Sequence, residues 1–190
     1  MRKIILAMQI SLDGFVEGEN GDVSFLNTDD HSLWEGVFKM IGNVDTCIMG
    51  RVMFPVYRDY WTGCLKPGTT ATADEVKYAT WADKTQHIVF SKTLKDPQWQ
   101  NTKVVSGPVV DEVKKLKNSP GGDIYVVGGA MLARTILDAG LVDEYRFTIA
   151  PALIGKGKSL FDPLTRIHKL KPVKTEQLKS GSIVLNFRSA

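Results

Sequence analysis

Three dipeptides in this chain carry groups that bind anions: Gly50-Arg51, Ser91-Lys92 and Gly128-Gly129. Each follows an apolar run of β type, respectively Thr46–Met49, His87–Phe90 and Ile124–Val127. Paired glycines let backbone N–H groups approach a pyrophosphate, and a helix starting there favours its negative charge. An arginine grips phosphate bidentately and stacks on an adenine face. A hydroxyl beside an ammonium suits one further phosphate, as in the 2′-phosphate of NADP. Each dipeptide also has a plain structural explanation: a tight strand-to-helix turn, an arginine covering a sheet edge, a loop start with an exposed lysine. A Gly-Gly pair is weaker than a full dinucleotide fingerprint. The weight lies in three such signals ending three strands.

Acid–base chemistry has two candidates. Asp13 lies just beyond a fourth apolar run, Lys3–Ala7, and Glu35 lies on the first turn of a predicted helix. Either would supply or relay a proton. The structural alternatives are an Asx-type turn with Gly14 and compensation of the helix macrodipole. Trp34, Phe54, Tyr57 and Trp61 offer an aromatic wall for a planar heterocycle, or a share of the core. His31, His87 and His168 are scattered. Cys47, in an apolar strand, and Cys64, in a loop, form no metal-spaced cluster, so no metal is expected.

These residues meet only if the runs are parallel strands of one α/β sheet, whose carboxyl ends share an edge where ligands bind. Lys3–Ile10 reads as a buried strand, followed by the loop Ser11–Phe15 and a turn at Glu19-Asn20-Gly21-Asp22. Asp29-Asp30-His31-Ser32 offers an N-cap for a helix running to about Ile41, with Leu33, Val37, Met40 and Ile41 three and four apart. Val44–Met49 is a strand. Gly50-Arg51 opens a short helix that Pro55 must join in its first turn or break, and Tyr57–Thr72 reads as irregular. Ala73–Ala82, Val109–Leu116 and Met131–Ala139 are helices, and Gln86–Phe90, Lys103–Ser106 and Ile124–Val127 are strands. From Glu144 the pattern changes to three strands, Tyr145–Ala150, Val173–Leu178 and Ile183–Arg188, the last two joined by a hairpin turn at Lys179–Ser182. The expectation is one α/β domain over residues 1–190. Its mixed, mostly parallel sheet of about seven to nine strands is flanked by helices and ends in antiparallel strands.

With 43% apolar and 24% charged residues, a chain of this length builds a core without disulfides. The net charge of +3 is spread along the chain, which fits an anionic small ligand rather than nucleic acid. Lys114, Lys115 and Lys117 read as a solvated helix face. The apolar start, Met1–Met8, is too short for a signal peptide, and no stretch approaches a membrane span. A cytoplasmic location without membrane attachment is expected.

Five stretches carry a resemblance: Ser11–Phe15, Ile48-Met49-Gly50-Arg51 with Phe54, Val89–Leu94, Val126–Ala130, and Pro151-Ala152-Leu153-Ile154-Gly155-Lys156-Gly157-Lys158-Ser159-Leu160-Phe161. Through them the chain resembles the dihydrofolate reductase-like fold, most closely the reductase domain of bacterial riboflavin biosynthesis. The resemblance implies NADPH as hydride donor. It implies that Gly50, Arg51, Val52 and Met53 hold the adenosine and pyrophosphate end, that Ser91 and Lys92 meet the 2′-phosphate, and that Gly128, Gly129, Ala130, Met131 and Leu132 wrap the pyrophosphate. Ala7 and the Asp13-Gly14 loop would lie beside the nicotinamide. It further implies a homodimer and a small heterocyclic substrate, for which Trp34, Phe54 and Tyr57 of the aromatic wall are the candidate contacts. The expected reaction reduces the ribosylamino group of a 5-amino-6-(5-phosphoribosylamino)uracil-like compound. A dihydrofolate or pteridine reductase and a non-catalytic NADPH-binding module are the alternatives. Three departures stand out. Met53 replaces the family's usual threonine, removing one side-chain phosphate contact. The position of the pterin-gripping acid of dihydrofolate reductases is Trp34, with Glu35 one step, about 100°, away. No zinc deaminase pattern accompanies the domain.

Overall fold

In the computed structural model, which describes residues 1–26 and 30–190, the expected strands assemble into one eight-stranded sheet. β1 (Ile4–Ser11) lies inside it, in parallel register with β6 (Asp123–Gly128) on one side and β7 (Glu144–Ala150) on the other. Beyond β6 come β3 (Val44–Gly50), β4 (Gln86–Phe90) and β5 (Thr102–Val105), all parallel. Beyond β7 come β10 (Ile183–Ser189) and β9 (Leu170–Gln177), both antiparallel to their neighbours. The order is β5-β4-β3-β6-β1-β7-β10-β9. The first six strands therefore end at one edge, as the sequence required.

Side-chain alternation divides the core into two layers. Ile4 and Leu6 point to a cluster with Val113, Leu132 and Ile136 from α4 (Val109–Asn118) and α5 (Ala130–Asp138). Ile5 points the other way, to a cluster containing Ile41, Phe54 and Tyr78 from α1 (His31–Ile41), α2 (Met53–Cys64) and α3 (Ala73–Lys84). Period-two burial on both faces is what a parallel sheet sandwiched by helices demands. The dihydrofolate reductase-like architecture is thus present, with helices on both faces and antiparallel strands at the C-terminal end.

Three local expectations need correction. Tyr57–Cys64 is helical rather than irregular, because α2 runs for 12 residues with Pro55 in its first turn. The signal was available: Phe54, Tyr57 and Cys64 are buried and Trp61 half-buried, at spacings of three and four. Cys64 consequently ends a helix and is buried. Lys117 is also buried, its ammonium bonded to Asp143 and to the Leu141 carbonyl at 3.0 Å. Of the expected cap for α1, Asp29 lies outside the described residues, while Asp30 caps the helix by accepting from the Ser32 N–H at 2.9 Å. A short ribbon, β2 (Phe15–Glu17) with β8 (Lys158–Ser159), was not anticipated. It fastens the segment after β7 to the loop after β1.

Candidate active site

Gly50, Phe90 and Gly128 end β3, β4 and β6, so Arg51, Ser91-Lys92 and Gly129 emerge side by side from the carboxyl edge. The two glycine turns touch. Gly128 has φ +148°, which favours glycine, and a Cβ there would lie 3.5 Å from Met53 Cγ. A Cβ on Gly50 would lie 3.9 Å from Leu132 Cβ, and one on Gly129 would meet nothing within 4 Å. Gly129 therefore opens onto free space at the start of α5.

The helix N-termini differ in a way that marks this edge. α1 is capped by Asp30, and α3 by a Thr72–Glu75 capping box with Asp74 and Glu75 in its first turn. α4 carries Asp111 and Glu112 in its first turn. α2 and α5 have no side-chain cap and no acid in the first turn. Among the described residues no side chain caps their first N–H groups, which are open to an external acceptor at the positive end of each dipole. Arg51 and Lys92 are exposed, and neither forms an ion pair among the described residues. The Ser91 hydroxyl accepts from the N–H groups of Thr93 (3.1 Å) and Leu94 (2.9 Å), shaping the turn that presents Lys92. Val52 and Met131 are exposed, while Ala130 and Leu132 are buried. Free helix ends, two cations and an open glycine match the donor set that a dinucleotide's phosphates need.

The carboxylates are placed differently from expectation. Asp13 accepts the Ser11 hydroxyl at 2.6 Å, the Gly155 N–H at 2.8 Å and the Ile154 N–H at 3.2 Å. The Ser11 hydroxyl, the largest effect, holds its carboxyl below the ordinary range; burial opposes it, and the Gly155 and Ile154 amides add to the lowering. These bonds make the carboxylate a clamp between the loop after β1 and the loop after β7. Gly14 completes the turn with φ +85°, donating to the Ser11 carbonyl and accepting from the Leu160 N–H at 2.9 Å. Glu35 is exposed on α1.

The aromatic wall is mostly core. Phe54 and Tyr57 are 1% and 4% exposed, and the Tyr57 hydroxyl is spent on that of Tyr78 at 3.0 Å. Neither has a surface to offer a ligand. Trp34 is half-buried, stacked on Phe38 at 5.7 Å and edged by Trp61.

The structure adds a floor that the sequence did not reveal. Ala7 and Gln9 on β1, Tyr125 on β6 and Arg146 on β7 are not fully buried, although all sit in interior strands. They share the face covered by α1, since Ile5 pairs with Tyr125 and Ala7 with Arg146. Partial exposure there means that α1 leaves a gap over the sheet. Arg146 had one available signal, a charge at an alternating position within Tyr145–Ala150. A separate depression of about 420 Å³, lined by Asp45, Lys84 and Gln86 among others, lies at the opposite, amino edge.

Comparison with known proteins agrees with this geometry. Residues 2–184 match the family model of the RibD C-terminal domain. The uncharacterized Bacillus subtilis protein YyaP is 34% identical over 186 residues, covering 98% of this chain and 94% of its own. A riboflavin-biosynthesis candidate from Shewanella sp. PV-4 is 20% identical, covers 99% of both chains and has a TM-score of 0.75. A Thermotoga maritima diaminohydroxyphosphoribosylaminopyrimidine deaminase/5-amino-6-(5-phosphoribosylamino)uracil reductase is 16% identical with a TM-score of 0.68; this chain covers 57% of it. Among the described residues no helix is long and apolar enough to cross a membrane.

Proposed function

The chain belongs to the RibD C-terminal domain family, and on that premise we propose that it is an NADPH-dependent reductase of a C=N bond on a pyrimidine-type heterocycle. The preferred substrate is a 5-amino-6-(5-phosphoribosylamino)uracil-like compound, by analogy with the Thermotoga maritima relative. One observation carries the reading. The two helices that lack caps and acids, α2 and α5, both begin at the edge where Arg51, Lys92 and Gly129 emerge.

NADPH, when bound, supplies a hydride from its nicotinamide. The protein's part is to bind and orient. The amides at the starts of α2 and α5 would hold the pyrophosphate, Arg51 would neutralise its charge, and Lys92 would meet the 2′-phosphate. Gly129 leaves the space that any side chain would occupy. Ala7, on the partly open β1 floor, would lie beside the reacting ring. Holding two reactants in near-attack geometry supplies up to roughly 7–11 kcal/mol of a barrier. The carboxylate that grips a pterin has no counterpart in this position, where Trp34 packs against Phe38, so a folate substrate is disfavoured.

The test is a titration with NADPH and NADH, followed by steady-state oxidation assays with the pyrimidine substrate and with dihydrofolate. Tight NADPH binding and turnover of the pyrimidine alone is the expected result. Failure to bind either nucleotide overturns the proposal. Binding without turnover of any heterocycle replaces it with a nucleotide-binding module.

A further inference from the structure

Arg146 leaves β7 in register with Ala7, two positions before Thr148, which pairs with Gln9. Its side chain is 11% exposed. Helix α1 gives way to it: a Cβ on Gly36 would collide with the guanidinium. A cation so enclosed is costly unless it is paired and hydrogen-bonded on all sides. Arg146 is not. Among the described residues its polar contacts are Asn186 Oδ1 at 3.3 Å and Glu176 Oε1 at 3.8 Å, for five N–H donors. Glu176 is itself shared, its other oxygen held by Lys174 at 2.8 Å and its charge also felt by Lys39 at the end of α1. Three cations thus surround one carboxylate. Toward the carboxyl edge on the same face, the side chains of Gln9 and Thr148 make no hydrogen bond among the described residues.

We propose that the gap between α1 and the sheet takes an anionic group of the substrate, a carboxylate or phosphate oxygen held by the Arg146 guanidinium. The anion site rests on Arg146, Gly36 and the surplus of positive charge. Its identity as the substrate's end rests on the reductase reading, in which the reacting ring lies toward Ala7.

Two probes separate the sources of the anion: ribose 5-phosphate and 4-aminobenzoylglutamate. Each is titrated into the full chain and into Arg146→Met, with NADPH titrated in parallel. The expected result is that one probe binds the parent and binds Arg146→Met about tenfold more weakly, while NADPH affinity stays within about twofold. Equal binding to parent and variant, or no binding of either probe to the parent, overturns the proposal. Should Arg146→Met unfold, Gly36→Ala tests the same seat with the arginine retained. Its methyl displaces the guanidinium, and a similar weakening is expected; unchanged binding overturns the assignment. NADPH affinity is read independently, so the cofactor reading and the anion site stand or fall separately.

Discussion

The Asp13 carboxylate accepts the Gly155 N–H at 2.8 Å, across 142 positions of sequence. This bond ties the loop leaving β1 to the loop leaving its neighbour β7, at the edge where the cofactor is proposed to lie. The same carboxylate is anchored from its own side by the Ser11 hydroxyl, and Ser11 Oγ in turn accepts the Phe15 N–H at 3.0 Å. A residue with the look of a proton donor is thus part of the frame.

Asp13→Ala is expected to release the Ile154 and Gly155 amides, seen as faster hydrogen exchange at those two positions and little change elsewhere. The pH sense follows from the shift. Asp13 titrates below its unfolded value, so its contribution is present above the ordinary carboxylate range and is lost only as pH falls through the depressed value. Protection of both amides should therefore persist at roughly pH 4. Loss of protection near pH 5 would contradict the clamp.

Gly129→Ala separates ligand space from protein packing. A methyl there meets no protein atom within 4 Å, so unfolding stability should change by less than about 1 kcal/mol. NADPH binding should weaken at least about tenfold, because that space is assigned to a pyrophosphate. Unaltered NADPH affinity would remove the glycine cradle from the site.

Lys92→Ala should lower affinity for NADPH by about tenfold and leave NADH unaffected, since the ammonium is exposed and its contribution is moderated by solvent. Arg51→Ala should weaken both nucleotides, by roughly 10–100-fold. Parallel titrations of the two cofactors decide between these patterns.

His87 sets an acid limit on stability. It is fully buried, stacked on Trp99 at 4.1 Å, and neither ring nitrogen has a hydrogen-bond partner among the described residues. Burial, opposed weakly by Asp83, pulls its pKa down to about 4. Between roughly pH 6.5 and 4 the unfolded chain takes up a proton that the native state refuses, so stability rises with pH across that window. The loss on going to pH 4 is about 3 kcal/mol. His87→Phe should flatten this limb in denaturant titrations at pH 7, 5.5 and 4. An unchanged slope would mean that another group governs acid unfolding.

Local physics made the strands and most helices legible. Buried parallel strands are short apolar runs, and Gln86–Phe90 is legible from the apolar Ile88–Phe90 that ends before the polar Ser91-Lys92. Most of helix α2 falls in a stretch that reads as irregular because Pro55 and the Pro67-Gly68 pair outweigh the three- and four-residue spacing of its aromatic side chains. Phe54 and Tyr57 look alike as ligand wall or core from composition alone; only the packing of α3 against α2, which brings Tyr78 to Tyr57, decides the matter.

The sequence by itself determined the elements, their alternation and the anion-binding chemistry at the strand ends, because hydrophobic period, turn residues and glycine freedom act over a few positions of chain. The tertiary structure alone decided which charges are spent and which are free. Asp13 finds its partners on the loop after β7, and Arg146 finds Gly36 on α1. Such pairings depend on which strands become neighbours, a property of the assembled sheet that no local stretch of residues encodes.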